Sequence, residues 1–375
     1  MAEGNVHPTK RLRLTGNSDW HACAILTDEY SKESPLVRVY LSQLESKSQI
    51  SSVMQELSKL LPMEHMGLQH LKRVRQQEII LYKVKDINNQ TSTKYLNSLG
   101  FSKETVEILC RDVREYDVPA LPPMLRWQYE LAQQRWPSKF HANKYMELLY
   151  DGSMFSEGQR IFHSKVWLLL NSISSELEHN KPCGICIDPR NDTVVALAAS
   201  RTTLNPVMHC PMVLVDFVAR TQSGGAWLKE FSNEFQSIYK DSDSSNDFYS
   251  VTNGIPEKYL EFIQSDARFK DLKIGAEPLR TKTTVQSAEQ TTQVEDNLVK
   301  YGPYLCTGYD VYLSQEPCLM CAMALVHSRV RRIYFYKRST NGALVTRLKL
   351  HSVKELNHHY EVFECKRKSN NECCR

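Results

Sequence analysis

His209 and the run Pro317-Cys318-Leu319-Met320-Cys321 are the residues whose types and spacing best support chemistry. A Cys-x-x-Cys pair at the start of a helix turns both sulfurs toward one ion, and Pro317 suits the turn before that helix. A distant histidine opening a second helix adds a nitrogen and leaves one position of a tetrahedral zinc for another group. The sequence therefore predicts one zinc ion held by His209, Cys318 and Cys321. Cys183 and Cys186 do not complete a four-cysteine site, because more than a hundred residues separate them from Cys318, far beyond zinc-ribbon spacing. Cys186 also falls in an alternating run whose side chains point to opposite faces of a strand. That pair reads as a small core residue and a loop thiol, and Cys373 and Cys374 as free thiols on a polar tail.

These ligands need a frame. Residues 157–177 carry helical periodicity, and Ile185–Pro189 and Thr193–Leu197 read as a hairpin around Arg190-Asn191-Asp192. A helix at about 209–220, the strand Val311-Tyr312-Leu313, a helix at about 319–328 and the strand Arg332–Tyr336 follow. That alternation is an α/β sandwich with helices packed on a sheet. Upstream, Leu36–Leu41 reads as a strand. Ile50, Val53, Leu57, Leu60 and Leu61 then recur at helical spacing until Pro62 stops them. Two strand-like runs, Leu68–Val74 and Glu78–Val84, complete a small α+β module of the split βαβ kind. Residues 93–147 read as helical and then irregular, interrupted by Pro119, Pro122, Pro123 and Pro137, with Trp127, Tyr129, Trp136 and Phe140 packing a linker onto a domain.

At 375 residues the chain has room for two domains, and 41% hydrophobic with 24% charged residues excludes disordered and fibrous classes. No apolar run approaches the roughly 18 residues of a membrane span, and the opening residues lack the apolar core of a secretory signal. Eleven cysteines, an odd number, then favour thiolate or zinc chemistry in a reducing compartment over disulfides. The expectation is a soluble intracellular protein with no membrane role. A net charge of +4 names no partner, but its distribution is uneven. From His327 to Lys368 there are 11 Lys/Arg against 3 Asp/Glu, a local surplus of the kind that neutralises phosphates. Arg329, Arg331, Arg332, Lys337 and Arg338 there, with Lys72, Arg73 and Arg75 in the small module, are the RNA-binding candidates. Lys10-Arg11-Leu12-Arg13 is a short basic run in a frayed terminus.

At Ile187-Asp188-Pro189, Asn205–Met212, Glu316–Arg329, Gly342-Ala343-Leu344, Lys349-Leu350-His351 and Leu356–Phe363 the chain resembles the cytidine and deoxycytidylate deaminase superfamily. Within it, the similarity is to the eukaryotic tRNA adenosine-34 deaminases, and more narrowly to their non-catalytic subunit. It is strong over 180–220 and 300–364 and rests mainly on domain order elsewhere. The zinc nucleobase deaminases carry His-x-Glu before Pro-Cys-x-x-Cys, the Glu moving protons between zinc-bound water and base. Here the triplet is His209-Cys210-Pro211, and proline has no titratable group. Asp216 lies about 10 Å farther along the helix, and Glu316 resembles a residue that active relatives carry beside their shuttle.

The resemblance implies a cytidine-deaminase-like three-layer sandwich, a mixed sheet with flanking helices, preceded by a ferredoxin-like α+β module. Expected boundaries are a flexible N-terminus (1–33), a tRNA-binding module and linker (34–150), a deaminase-like domain (151–365) with a polar insertion near 232–300, and a tail (366–375). It further implies a structural zinc, a catalytic deaminase partner in a heterodimer, tRNA as substrate, conversion of adenosine 34 to inosine by that partner, and residence in nucleus and cytoplasm. The tail is expected to fold back and offer the zinc a cysteine thiolate or a carboxylate. Two other readings are an independent zinc-dependent nucleoside or nucleotide deaminase and a zinc-stabilised RNA-binding protein without an enzyme partner. Pro211 opposes the first, and a copurified deaminase chain with intact His-x-Glu would exclude the second.

Overall fold

The computed structural model describes residues 20–87, 90–231, 233–235, 253–277 and 304–367. The tail cysteines, Lys10–Arg13 and most of the polar insertion lie outside them. The first described strand, β1 (Trp20–Ala24), belongs to the larger of two compact units. The chain leaves that unit to build a smaller one from Leu26 to Asp151 and rejoins it at Gly152.

The smaller unit runs α1 (Asp28–Ser31), β2 (Leu36–Gln43), α2 (Gln49–Leu60), β3 (Val74–Arg75), β4 (Glu78–Lys83), α3 (Ser92–Ser98), α4 (Lys103–Cys110), β5 (Val113–Pro119), α5 (Arg126–Arg135) and α6 (Lys144–Asp151). Its four strands lie in the order β3-β4-β2-β5, all antiparallel, which is the ferredoxin-like arrangement. Val39 and Leu41 of β2 meet Val53 and Leu57 of α2 and Val106 and Leu109 of α4 in its core. Trp136, expected to pack a linker, is fully buried in that core.

Two sequence expectations need correction here. The run 68–74 is strand only at its end, because Gly67, at a left-handed φ of 64°, closes the turn over 63–67 and a second turn follows at 69–70. The segment 113–119 is a full strand despite Arg114, Glu115 and Asp117. Those charges hid its period, and they pair on the exposed side, Arg38 Nε donating to Asp117 Oδ1 at 3.1 Å and Arg114 bonding Glu78.

The larger unit continues with α7 (Glu157–Ser172), β6 (Cys183–Asp188), β7 (Thr193–Ala199), α8 (Cys210–Thr221), α9 (Glu257–Ser265), β8 (Lys273–Ile274), β9 (Asp310–Gln315), α10 (Leu319–His327), β10 (Arg332–Lys337) and β11 (Glu361–Arg367). The mixed sheet has the order β1-β11-β10-β9-β6-β7-β8, with β9, β10 and β11 parallel and β6 and β7 an antiparallel hairpin. The sequence places residues 20–24 in a flexible terminus. Instead Trp20 pairs with Arg367 and Ala24 with Phe363, so β1 covers the β11 edge.

Strand alternation makes the layers. Ile333 and Phe335 of β10, with Val311 and Leu313 of β9, pack under α8 and α10. Their neighbours Tyr312, Tyr334 and Phe363 stack across three strands on the other face, at 4.5 and 5.0 Å between ring centroids, where α7 brings Trp167 and His163. α7 opens with a capping box, Ser156 and Gln159 each satisfying the other's backbone amide. Helices on both faces of one sheet give the cytidine-deaminase-like three-layer sandwich. Cys183 and Cys186 are both buried in β6, so Cys183 is a strand residue rather than a loop thiol.

Candidate metal centre

His209 is the N-cap of α8 and Cys318 the N-cap of α10, each with extended backbone. The Cys-x-x-Cys spacing then puts Cys321 in the first turn of α10, on the side of Cys318. α8 and α10 pack side by side, which brings the two helix starts together. The ligand atoms of His209, Cys318 and Cys321 all lie within 4.8 Å of one another. Cys318 Sγ is 3.6 Å from His209 Nδ1. Tetrahedral zinc, with Zn–S about 2.3 Å and Zn–N about 2.1 Å, sets its S and N ligands roughly 3.6 Å apart, so the donors fit that ion in type and spacing.

Electrostatics act in the same direction. Burial pushes the Cys321 thiol up and the neighbouring Cys318 adds to it, so a bound cation would be what favours the Cys321 thiolate. Backbone amides at the two helix starts favour negative charge in the same place. Cys210, next to His209, turns away: its Sγ faces Ala198 O at 3.6 Å inside the core.

The segment that delivers His209 is held from behind. The Arg201 amide donates to Met208 O at 2.9 Å, and Leu204 and Asn205 donate back to Arg201 O. The Arg201 guanidinium, buried, meets Glu178 at 2.9 Å, and the Tyr259 hydroxyl donates to the same carboxylate at 2.5 Å, with Lys258 also bonded to it. Burial alone pushes the Glu178 carboxyl up, but Lys258, Tyr259 and Arg201 outweigh it and hold it below the usual carboxylate range. Sequence reading missed this cluster, because nothing in the spacing of 178, 201 and 258 marks it.

Pro211 is buried in the first turn of α8, where its missing N–H breaks no helical bond. Neither alternative carboxylate is available in its place. Asp216 Oδ1 accepts from the Ala226 and Trp227 amides, at 2.5 and 3.3 Å. Glu316, buried beside Pro317, accepts from the amides of Ser339, Leu344, Val345 and Thr346 and from the Thr346 hydroxyl. Burial would raise its carboxyl, yet those donors, the Thr346 hydroxyl foremost, hold it low.

The basic candidates separate. Arg73 is not a surface cation: its guanidinium lies in the core and donates to the carbonyls of Leu57, Leu61, Ile80 and Leu81, which removes it from any phosphate. Arg75 bonds Glu78 and Arg135 O and lies over the Trp136 ring at 4.3 Å. Arg331 makes a two-pronged pair with buried Asp310, at 2.8 and 2.7 Å. Arg332 pairs with Glu361, and Arg338 with Glu364. Lys72, Arg329 and Lys337 are exposed. Lys139, which sequence reading passed over, is exposed near Lys72, because the bridge of Leu71 with Ser138 and the Lys72 bond to Pro137 O run the two segments side by side.

No protein-family model matches the chain. Individual proteins do. It is 27% identical over 368 residues to "Probable inactive tRNA-specific adenosine deaminase-like protein 3" of Danio rerio, covering 92% of this chain and 91% of that protein. The Homo sapiens protein of the same name is 29% identical over 363 residues, covering 92% and 89%. "tRNA-specific adenosine deaminase TAD3" of Arabidopsis thaliana is 45% identical over 89 residues, 22% of each chain. The matches run through both units and along most of the first two relatives, so over 92% of its length this chain is similar to proteins named probable inactive tRNA-specific adenosine deaminase-like protein 3.

Proposed function

We propose that this chain is the non-catalytic, zinc-binding subunit of a tRNA adenosine deaminase that converts adenosine 34 to inosine. In this reading it scaffolds a catalytic deaminase chain in a heterodimer and contributes to tRNA binding. One observation carries it: His209, Cys318 and Cys321 converge within 4.8 Å while the position two beyond His209 holds Pro211. Three metal donors without a proton shuttle suit an ion that is bound but does not deaminate on this chain. Zinc bound there would tie the starts of α8 and α10 together through two thiolates and an imidazole. His209 supplies Nδ1, Cys318 and Cys321 supply sulfur, Glu316 is held by four backbone amides and the Thr346 hydroxyl, and Asp216 lies two turns along α8 with its Oδ1 taken by two amides, so neither stands in for the shuttle.

Partner docking has support at the same end of the unit. Leu204 and Val207, just before His209, and Leu319 and Met320, just after Cys318, are exposed. Large apolar side chains flanking the metal residues on two segments mark a protein interface more readily than an open surface. For tRNA, the exposed lysines Lys72, Lys139 and Lys337 take the place of the internally paired arginines. The C-terminal tail as a fourth zinc ligand lies outside the described residues.

The test is inosine formation at tRNA position 34 with this chain alone, with a deaminase chain carrying intact His-x-Glu, and with both. Activity is expected only with both, unchanged by Pro211→Ala here and abolished by Glu→Gln in the partner's His-x-Glu. Turnover by this chain alone would overturn the reading.

A further inference from the structure

We infer that Glu316 is a positioning residue of the metal centre, its carboxylate fastening the 339–346 loop against Cys318 and so fixing where both thiols sit. The inference rests on the zinc reading above and goes beyond it, assigning a role to a carboxylate that neither binds the ion nor moves a proton.

Glu316 joins β9 to Pro317 and Cys318, and its own amide donates to Lys337 O at 2.7 Å. Its Oε1 accepts from three successive amides, Leu344 at 2.9, Val345 at 2.7 and Thr346 at 3.0 Å. Its Oε2 accepts from Ser339 at 3.2 Å and from the Thr346 hydroxyl at 2.5 Å. Three consecutive amides aimed at one oxygen form an anion cradle, and the anion is built into the chain. The cradle closes onto the ligand itself. Gly342 makes a β-bridge with Cys318, and Ala343 donates to Pro317 O at 2.9 Å. Gly342 has no substitute, since a Cβ there would come within 2.0 Å of the Glu316 carboxyl carbon.

The loop therefore grips the backbone of Pro317 and Cys318 from one side, and Lys337 O holds Glu316 from the other. Cys318 is the N-cap of α10 and Cys321 its first-turn residue, so a shift of this short segment moves both sulfurs together. Groups that orient metal ligands without touching the metal typically cost ten- to a hundred-fold in affinity when altered.

The experiment measures zinc affinity of the full chain by competition with a chromophoric chelator, and the cobalt(II) absorption spectrum, for wild type, Glu316→Gln and Thr346→Val. An amide at 316 turns an NH2 toward the cradle, so E316Q is expected to bind zinc ten- to a hundred-fold more weakly with altered thiolate-to-cobalt bands. T346V removes a single donor and is expected to lose a few-fold. Circular dichroism reports whether each variant folds. Wild-type affinity and cobalt spectrum in folded E316Q, or in T346V should E316Q fail to fold, would overturn the inference. A wild-type chain that takes up no zinc would instead fail the underlying reading, and is told apart because the loss then precedes any substitution.

Discussion

The smaller unit buries a guanidinium, while the larger buries several carboxylates, some answered by guanidinium groups and Glu316 by backbone amides. In the smaller, the Arg73 guanidinium sits in the core and is answered by four backbone carbonyls. In the larger, buried carboxylates meet guanidinium groups, Asp310 with Arg331 and Glu178 with Arg201. There, too, three soft donors crowd together at two helix starts. A charge answered by backbone is a rivet, complete in itself. A cluster of donors that repel one another when ionised is complete only with a cation. Among the described residues the candidate metal donors lie in the larger unit, and the smaller unit's buried Arg73 is answered by backbone alone.

The sharpest way to break that comparison is to remove the rivet. Arg73→Ala strips four carbonyls of their donor inside a packed core and is expected to cost on the order of 3 kcal/mol or more. Arg338→Ala, whose side chain is 54% exposed in its pair with Glu364, is expected to cost under about 1 kcal/mol. Urea unfolding measures both, and equal losses would erase the distinction between the two kinds of charge.

A second test lies in the aromatic layer beneath α7. Burial, with the Arg332 and Arg331 charges nearby, lowers His163 to about 3, and its Nδ1 meets the Tyr312 hydroxyl. A histidine kept neutral when folded but protonated when unfolded contributes stability that is complete above the unfolded value near 6.5. That contribution falls by about 1.4 kcal/mol per unit as pH drops from there toward about 3. His163→Gln is expected to flatten this part of the stability–pH curve. Parallel curves for the two proteins between pH 6.5 and 4 would show that the imidazole already shares its environment with solvent.

The smallest expected effect concerns the smaller unit's surface. Replacing Lys72 and Lys139 with alanine is expected to weaken tRNA binding several-fold and to make the slope of log affinity against log salt shallower by about one per lysine. Fluorescence anisotropy at two or more salt concentrations reads both quantities. An unchanged slope would move the contact to the larger unit, where Arg329 and Lys337 are exposed.

How much of this was readable in advance depends on range. The convergence of the candidate metal donors was legible because Cys318 and Cys321 are neighbours on one helix turn and His209 opens another, so local periodicity already aims them. β2, α2, α7 and the β6–β7 hairpin were legible for the same reason. β5 was not, since Arg114, Glu115 and Asp117 interrupt its alternation and are compensated by residues distant in sequence. The basic candidates failed in a related way: residue type gives Arg73, Arg75 and Arg331 their charge, but only the fold says that carbonyls, a ring and Asp310 receive it. Gly342 and Glu316 stood in the sequence as resemblance, and their mutual fit emerges only when a loop is laid against a strand.

The pairing of β1 with β11 bears on how the molecule is made. A ribosome delivers β1, then the whole of the smaller unit, then the rest of the larger sheet, and only at the last described strand the partner of β1. The smaller unit can close as soon as it emerges, whereas the larger one waits with its first strand idle and its last edge unmade. Until β11 is released, β10, paired with β9 on one side only, presents an open edge. Synthesis therefore passes through a stage in which one half of the protein is finished and the other is at its stickiest, and a variant that slows closure is expected to be lost to aggregation or proteolysis before it is ever tested for binding.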